Sequence, residues 1–275
     1  MTITNLKLQA EKNRKRLIEV ICAAKAGHTG GDLSVLNLLT VLYHHTMNIS
    51  AQLLDNPDRD LFVLSKGHCV EALFVVLESM GILDKKTLDT LGGFNSPLAG
   101  HPTSDIPGIE ANSGALGHGL PIAAGMALAS KMDNKGNRVF VVMGDGEQEE
   151  GSIYEAAMVG SHYRLDNLAA FIDRNRLQIS GSTEDVIGYG KIDEIWNAFG
   201  WDVLEMNGDD IEEIVRTLDG IDWHNGRPHM IIANTTKGYG ISFMENIAKW
   251  HHGVPTPEQA AAAISEIEAR IAALS

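Results

Sequence analysis

The run VFVVMGDGEQEEGSIYEAA, Val139 to Ala157, constrains this chain more than any other stretch. Its apolar residues stop at Gly144-Asp145-Gly146, and a helix-like segment follows. About thirty residues on, LAAFIDRNRLQISG (Leu168 to Gly181) repeats the plan and ends in Asp173 and Asn175. The runs Val139 to Met143 and Leu168 to Ile172, separated by a helical pattern from Ser152 to Tyr163, form a βαβ unit. Such a crossover joins parallel strands. Ligands of open parallel sheets sit beyond the carboxyl ends of the strands. The two strand ends therefore read as two halves of one site.

The rest of the chain extends the same pattern. Helical periodicity covers Leu8 to Ala26, Asp32 to Met47, Val70 to Met80, Leu120 to Lys131 and Ile211 to Leu218. Strand-like runs occupy Asp60 to Ser65, Trp201 to Met206 and His229 to Thr235. Thr256, Pro257 and Gln259 open a final helix with a capping box. Gly92 to Gly119 is long, rich in Gly and Pro, and aperiodic, as functional loops are. The expected class is α/β, a mostly parallel sheet with helices on both faces. The 275 residues are read as a single domain, 44% hydrophobic and able to bury a sizeable core.

Several function classes are disfavoured. The net charge of −14, without clustered Lys and Arg, argues against a nucleic acid partner. No run of about 18 apolar residues could cross a membrane, and the N-terminus does not read as a signal peptide. Cys22 and Cys69 lack metal-type spacing, and a reducing cytoplasm is expected. GxxxxGK[ST] is missing, as is a GxGxxG closing a first strand, which disfavours a GTP- or NAD-binding domain.

Chemistry at the two strand ends centres on an acid between glycines. Glycine lets the backbone approach a phosphate, and helix N–H groups favour an anion. Asp145 would repel that phosphate unless a divalent cation lay between them. Mg²⁺ and Ca²⁺ take carboxylate, amide and carbonyl oxygens, which Asp145, Asn175 and the Leu177 carbonyl could offer. The bland alternative is a simple turn, with Asn175 in a left-handed conformation. The tripeptide alone does not separate the two; its pairing with Asn175 favours a metal–diphosphate site. His28, His68 and His101 each adjoin a glycine at a predicted element end, where loops carry function. His44, His45, His162, His224 and His229 read as surface or satisfied core residues, and Met126, Met132 and Met158 as core. Lys66 reads equally as a surface charge, and Glu147, Glu149 and Glu150 as a solvated first helical turn.

GDGEQEEG followed by DRNRLQISG resembles the thiamine-diphosphate motif, which opens with GDG and closes with Asn. GHTGGDLS (Gly27 to Ser34), FVLSKGHCVEALF (Phe62 to Phe74), the stretch Gly100 to Ala129 and KGYGISFMENIAKWHHG (Lys237 to Gly253) resemble transketolase segments in order. The resemblance covers nearly the whole chain. It implies the diphosphate-binding domain of the thiamine-diphosphate fold, with Mg²⁺ or Ca²⁺ held by Asp145, Asn175 and the Leu177 carbonyl. It implies that Gly114, Ala115, Leu116, Gly144, Gly146, Glu150, Ile179 and Lys237 meet the cofactor. Gly146 would offer its N–H to a phosphate, Ile179 would pack near the thiazolium ring, and Lys237 would face the diphosphate. His28, His68 and His101 match histidines lining the substrate channel. A further family histidine corresponds to His251 by its distance from Lys237, or to His252 by the HG pair. His118 stands where relatives often carry Gln, and Glu150 and Glu155 match acids facing a partner chain.

A full transketolase carries two further domains, and the first of these binds the aminopyrimidine and supplies an activating glutamate. The resemblance reaches only the part before them. It therefore implies the N-terminal subunit of a split transketolase, whose partner chain carries the pyrimidine-binding domain, in a heterotetramer. The implied activity is transfer of a two-carbon ketol unit between sugar phosphates. Pentose phosphates are the default substrates; branched pentulose phosphates or sulfo-sugars are equally compatible. A decarboxylating dehydrogenase component and a non-catalytic cofactor-binding paralogue are the competing readings.

Overall fold

The computed structural model describes residues 1–275. Five strands, β1 Leu61–Leu64, β2 Val139–Gly144, β3 Leu168–Arg174, β4 Asp202–Asn207 and β5 His229–Asn234, form one sheet in the order β1-β2-β3-β5-β4. Every pairing is parallel. Helices α1 Ile3–Ala24, α2 Thr29–Val41, α3 Val70–Ser79, α4 Lys85–Leu88 and α5 Gly119–Met132 come first in the chain. They are followed by α6 Gly151–His162, α7 Thr183–Ile187, α8 Ile192–Ala198, α9 Ile211–Asp219 and α10 Pro257–Leu274.

Alternation along the central strands assigns the two faces. Phe140, Val142, Ala169 and Phe171 join α1, α2, α3, α9 and α10 in one core. Val139, Val141, Met143, Ala170 and Ile172 join α5, α6 and α8 in the other. Both faces being covered, the central strands read as unbroken apolar runs. Burying each large side chain contributes roughly 1.5–3 kcal/mol. The register sets Gly144 opposite Asp173 and Arg174 opposite Asn234, so the polar strand ends lie side by side.

Most expected elements form within a residue or two of their expected bounds, and Gly92 to Gly119 is largely irregular. The Thr256 and Gln259 capping box of α10 forms reciprocally. Four differences stand out, the first being that α1 begins at Ile3 rather than Leu8, where Thr2 caps it through the Asn5 N–H. Helix α2 begins at Thr29 rather than Asp32, and closes in a π turn over Leu42–Thr46. It starts early because Gly30 and Gly31 run inside the packing, where a Cβ on Gly31 would lie 2.8 Å from Cys69 Sγ. The short helices α4, α7 and α8 are new; Asp84 and Ser182 cap the first two with side-chain bonds. Met132 and Met158, expected in the core, are 74% and 56% exposed, and Met126 packs only at the margin of one core.

The first turns of α2 and α3 bury two carboxyl groups together, Asp32 and Glu71. Asp32 Oδ1 accepts the Ala72 N–H at 3.0 Å, while Asp32 Oδ2 and Glu71 Oε2 have no hydrogen-bond partner. Burial, reinforced by Glu71, pushes Asp32 well above the usual carboxyl range, and burial pushes Glu71 up to about 7. A carboxyl raised on folding stabilises the protein at low pH, and that contribution is lost as pH rises through the folded value. The Glu71→Gln variant keeps the shape of the side chain without its titration. It should gain on the order of 2 kcal/mol on the wild type between pH 5 and pH 8, read by urea unfolding at both pH values. Parallel pH dependence of the two proteins would refute a raised Glu71 carboxyl.

Candidate functional site

At the carboxyl edge of the sheet, β1, β2 and β3 end around a polar pocket of about 400 Å³. The turn after β2 carries Asp145, which is 4% exposed. Its Oδ1 accepts the Gly146 N–H at 2.8 Å, and its Oδ2 accepts the Arg176 N–H. That second bond ties the GDG turn to the loop after β3. In that loop Asn175 Oδ1 accepts the Leu177 N–H at 3.2 Å, and the Leu177 carbonyl accepts a hydrogen bond from Lys237 Nζ at 2.7 Å. Asp145, Asn175 and Leu177 all line the same pocket. Burial, then the charge of Asp173, pushes the Asp145 carboxyl up to about 6.

The donor set fits a hard divalent cation holding a diphosphate. It offers a carboxylate, an amide oxygen and a main-chain carbonyl, all oxygen ligands. A buried acid that receives only backbone amides is also the group that a cation would relieve. Leu116, Leu177 and Ile179 are the hydrophobic residues of a lining otherwise made of glycines and polar or charged side chains. Gly114, at φ +153°, carries the backbone past His101, whose Cδ2 would lie 3.2 Å from a Cβ at that position. Few residues other than glycine adopt that conformation.

Four imidazoles gather on the other wall. The ring centroids of His28 and His68 are 5.2 Å apart, those of His68 and His251 5.4 Å, and those of His28 and His252 4.6 Å. His101 lines the pocket from the glycine-rich loop. Burial, and then neighbouring cationic groups, lowers His28 to about 4 and His251 to about 3. Burial, and then Lys66, also drives His68 far below its usual range. These three rings are neutral at pH 7, able to give or take a proton by hydrogen bond without carrying charge. His251 and His252 both face the pocket; His251 Nδ1 lies 2.8 Å from Lys237 Nζ. Burial, then repulsion from Lys66, lowers Lys237 to about 8.

Gly144, Gly146, Glu150 and Ile179 line the pocket, Ile179 being 63% exposed. Ala115 is exposed and outside the lining, and His118 turns its Nδ1 to the Leu116 carbonyl at 3.1 Å. The Gly146 N–H, expected to face a phosphate, is on the Asp145 carboxylate. Glu155 is exposed on α6.

Two readings from the sequence are corrected here. Lys66 is no surface charge: it is 1% exposed and pairs with the buried Asp173. Burial disfavours its ammonium, but Asp173 more than restores it and holds it above the usual lysine range. Asp173 also accepts Ser34 Oγ at 2.6 Å and Thr235 Oγ1 at 2.5 Å. Glu147 is no solvated turn residue either, being 1% exposed. It accepts from Ser65 Oγ, from the Gly117 N–H at 2.8 Å and from the Gly144 N–H at 3.0 Å, joining three loops under the pocket. Ser34, Ser65 and Thr235 carried no recognisable signal. Lys66 did, as a lysine directly between a strand end and Gly67-His68.

The family described as "Transketolase, thiamine diphosphate binding domain" matches residues 7–268. The chain belongs to this family. It is 59% identical to an apulose-4-phosphate transketolase subunit of Phocaeicola vulgatus, over 98% of this chain and 96% of the relative. It is 39% identical to a 6-deoxy-6-sulfo-D-fructose transketolase subunit of a Clostridium species, over 96% of each. Among solved structures it is similar to transketolase from Leishmania mexicana, with a TM-score of 0.84 and 25% identity. That match covers 100% of this chain and 46% of the other. Transketolase from Campylobacter jejuni gives 0.84 and 26%, covering 48% of its chain. The chain thus spans nearly all of the subunit relatives and under half of these solved transketolases. Its fold is the thiamine diphosphate-binding fold of transketolase, and thiamine diphosphate is the cofactor of the domain. No helix is long and apolar enough to cross a membrane.

Proposed function

We propose that this chain is the cofactor-binding subunit of a split transketolase, transferring a two-carbon ketol unit from a ketose phosphate to an aldose phosphate together with a partner chain. The observation that carries this reading is the convergence of Asp145, Asn175, the Leu177 carbonyl and four imidazoles on one pocket at the sheet edge. Asp145, Asn175 and Leu177 would hold Mg²⁺ or Ca²⁺ against the diphosphate, with Gly114, Leu116, Gly144 and Gly146 letting the cofactor approach the backbone. Ile179 and Leu116 would form the apolar ledge for its thiazolium ring. When bound, thiamine diphosphate supplies the electron sink for carbon–carbon cleavage. The chain's own part is to orient the ketose and move its protons. Neutral His28, His68 and His251 are suited to bind sugar hydroxyls and pass protons, with His101 and His252 beside them in the pocket lining.

The partner is read as carrying the pyrimidine-binding domain and the activating glutamate, in an assembly of two of each chain working in the cytoplasm. Exposed Ile122 on α5, Met158 and Val159 on α6, and Tyr163 just after it offer the partner an apolar surface. The pocket-lining Glu150 and the exposed Glu155 would face it. The relatives' names favour an unusual sugar as donor, and the 59% identity favours apulose 4-phosphate over the sulfo-sugar. The assembled pair should be offered apulose 4-phosphate, 6-deoxy-6-sulfo-D-fructose and xylulose 5-phosphate with an aldose phosphate acceptor. Apulose 4-phosphate should give the highest kcat/KM. Transfer from none of them, with decarboxylation of an α-keto acid instead, would overturn the transketolase reading.

A further inference from the structure

We propose that Lys237 competes with the divalent cation for one ligand: its ammonium sits on the Leu177 carbonyl and against His251, and metal loading displaces it, which releases His251. The inference rests on the reading of Asp145, Asn175 and Leu177 as metal ligands. Lys237 Nζ donates to the Leu177 carbonyl at 2.7 Å and meets His251 Nδ1 at 2.8 Å. One ammonium therefore bridges an expected metal ligand and an expected proton-handling histidine.

Charge balance explains why it is there. Two lysines line the pocket, and Lys66 is taken by Asp173. Both oxygens of the buried Asp145 accept only backbone amides. Lys237 is the remaining lysine able to offset negative charge on that rim, and at 1% exposure it cannot leave for solvent without moving. Its backbone is fixed: the Gly238 N–H donates to the Gly30 carbonyl at 2.9 Å, and the Asn246 N–H to the Lys237 carbonyl at 2.8 Å. Any adjustment is thus made by the side chain.

Ammonium and metal exclude each other at this carbonyl. A divalent ion bound to the Leu177 oxygen would lie within a few ångströms of Nζ, and like charges at that range repel strongly in a low dielectric. The arriving diphosphate gives the displaced ammonium a new counter-ion. His251 Nδ1 then loses its contact with Lys237 Nζ. Lys237 so acts as a positioning residue that makes His251 available only in the loaded site.

The test is Mn²⁺ binding read by electron paramagnetic resonance in wild type and Lys237→Met, first on the chain alone and then on the assembled pair with thiamine diphosphate. Without cofactor, the variant should bind Mn²⁺ about tenfold more tightly than wild type; with cofactor, about tenfold more weakly. A merely structural lysine would not move the two affinities in opposite directions. Equal or weaker cofactor-free Mn²⁺ binding by the variant overturns the competition and leaves the metal reading standing. No Mn²⁺ binding by the cofactor-loaded wild-type pair overturns both. Should the variant fail to fold, a crystal structure of the wild-type pair with Mg²⁺ and thiamine diphosphate decides. Lys237 turned to the diphosphate supports the inference, and Lys237 still on the Leu177 carbonyl overturns it.

Discussion

Asp145→Ala should cost the assembled pair at least about 100-fold in affinity for thiamine diphosphate with Mg²⁺, roughly 3 kcal/mol. Asp145 is the sole carboxylate in the proposed ligand set, and its removal leaves the cation with an amide and a carbonyl. The same change should barely move the stability of the cofactor-free chain. Alanine gives up two bonds from backbone amides, each worth about 1 kcal/mol, but also removes an acid that burial holds in an unfavourable state. Isothermal titration and melting with and without cofactor separate the two effects: the cofactor-induced rise in Tm should vanish while the cofactor-free Tm stays. Because Asp145 must be ionised to bind the cation, wild-type loading should weaken as pH falls through about 6. A variant that binds cofactor within about threefold of wild type would remove the metal assignment.

The second large effect is all-or-none. The purified chain with thiamine diphosphate and Mg²⁺ should transfer no ketol unit. Its partner should raise the rate by at least the ~100-fold that a positioned general acid or base contributes. Activity should saturate at equal amounts of the two chains, with light scattering giving two of each. The pocket agrees with a shared site, since Ile179 is 63% exposed at its mouth. Robust turnover by the chain alone would sink the split reading, whatever the outcome of the Asp145 experiment.

Much of the site was legible because short-range chemistry marks it. Asp145 between glycines, Asn175 at the next strand end and histidines beside glycines are local patterns that announce ligand contact. Lys66 and Glu147 were misread because their role depends on partners far along the chain. Lys66 is defined by Asp173, 107 positions away, and Glu147 by Ser65, 82 positions away. A charged side chain reads as solvated until its partner is in view, and buried charges survive only when paired or hydrogen-bonded. The choice between His251 and His252 depended likewise on an irregular turn with no period to read.

Periodicity of apolar residues and punctuation by glycine were enough, without coordinates, to indicate a parallel α/β sheet whose polar strand ends meet at Gly144 and Asn175. Both are short-range properties of the chain, carried by side-chain alternation and by backbone freedom. The strand order, the buried Lys66–Asp173 pair, the neutral state of His28, His68 and His251 and the seat of Lys237 on the Leu177 carbonyl emerged only from the folded arrangement. Each depends on which distant groups share a low-dielectric space, and Coulomb and desolvation energies are set by that proximity rather than by neighbourhood along the chain.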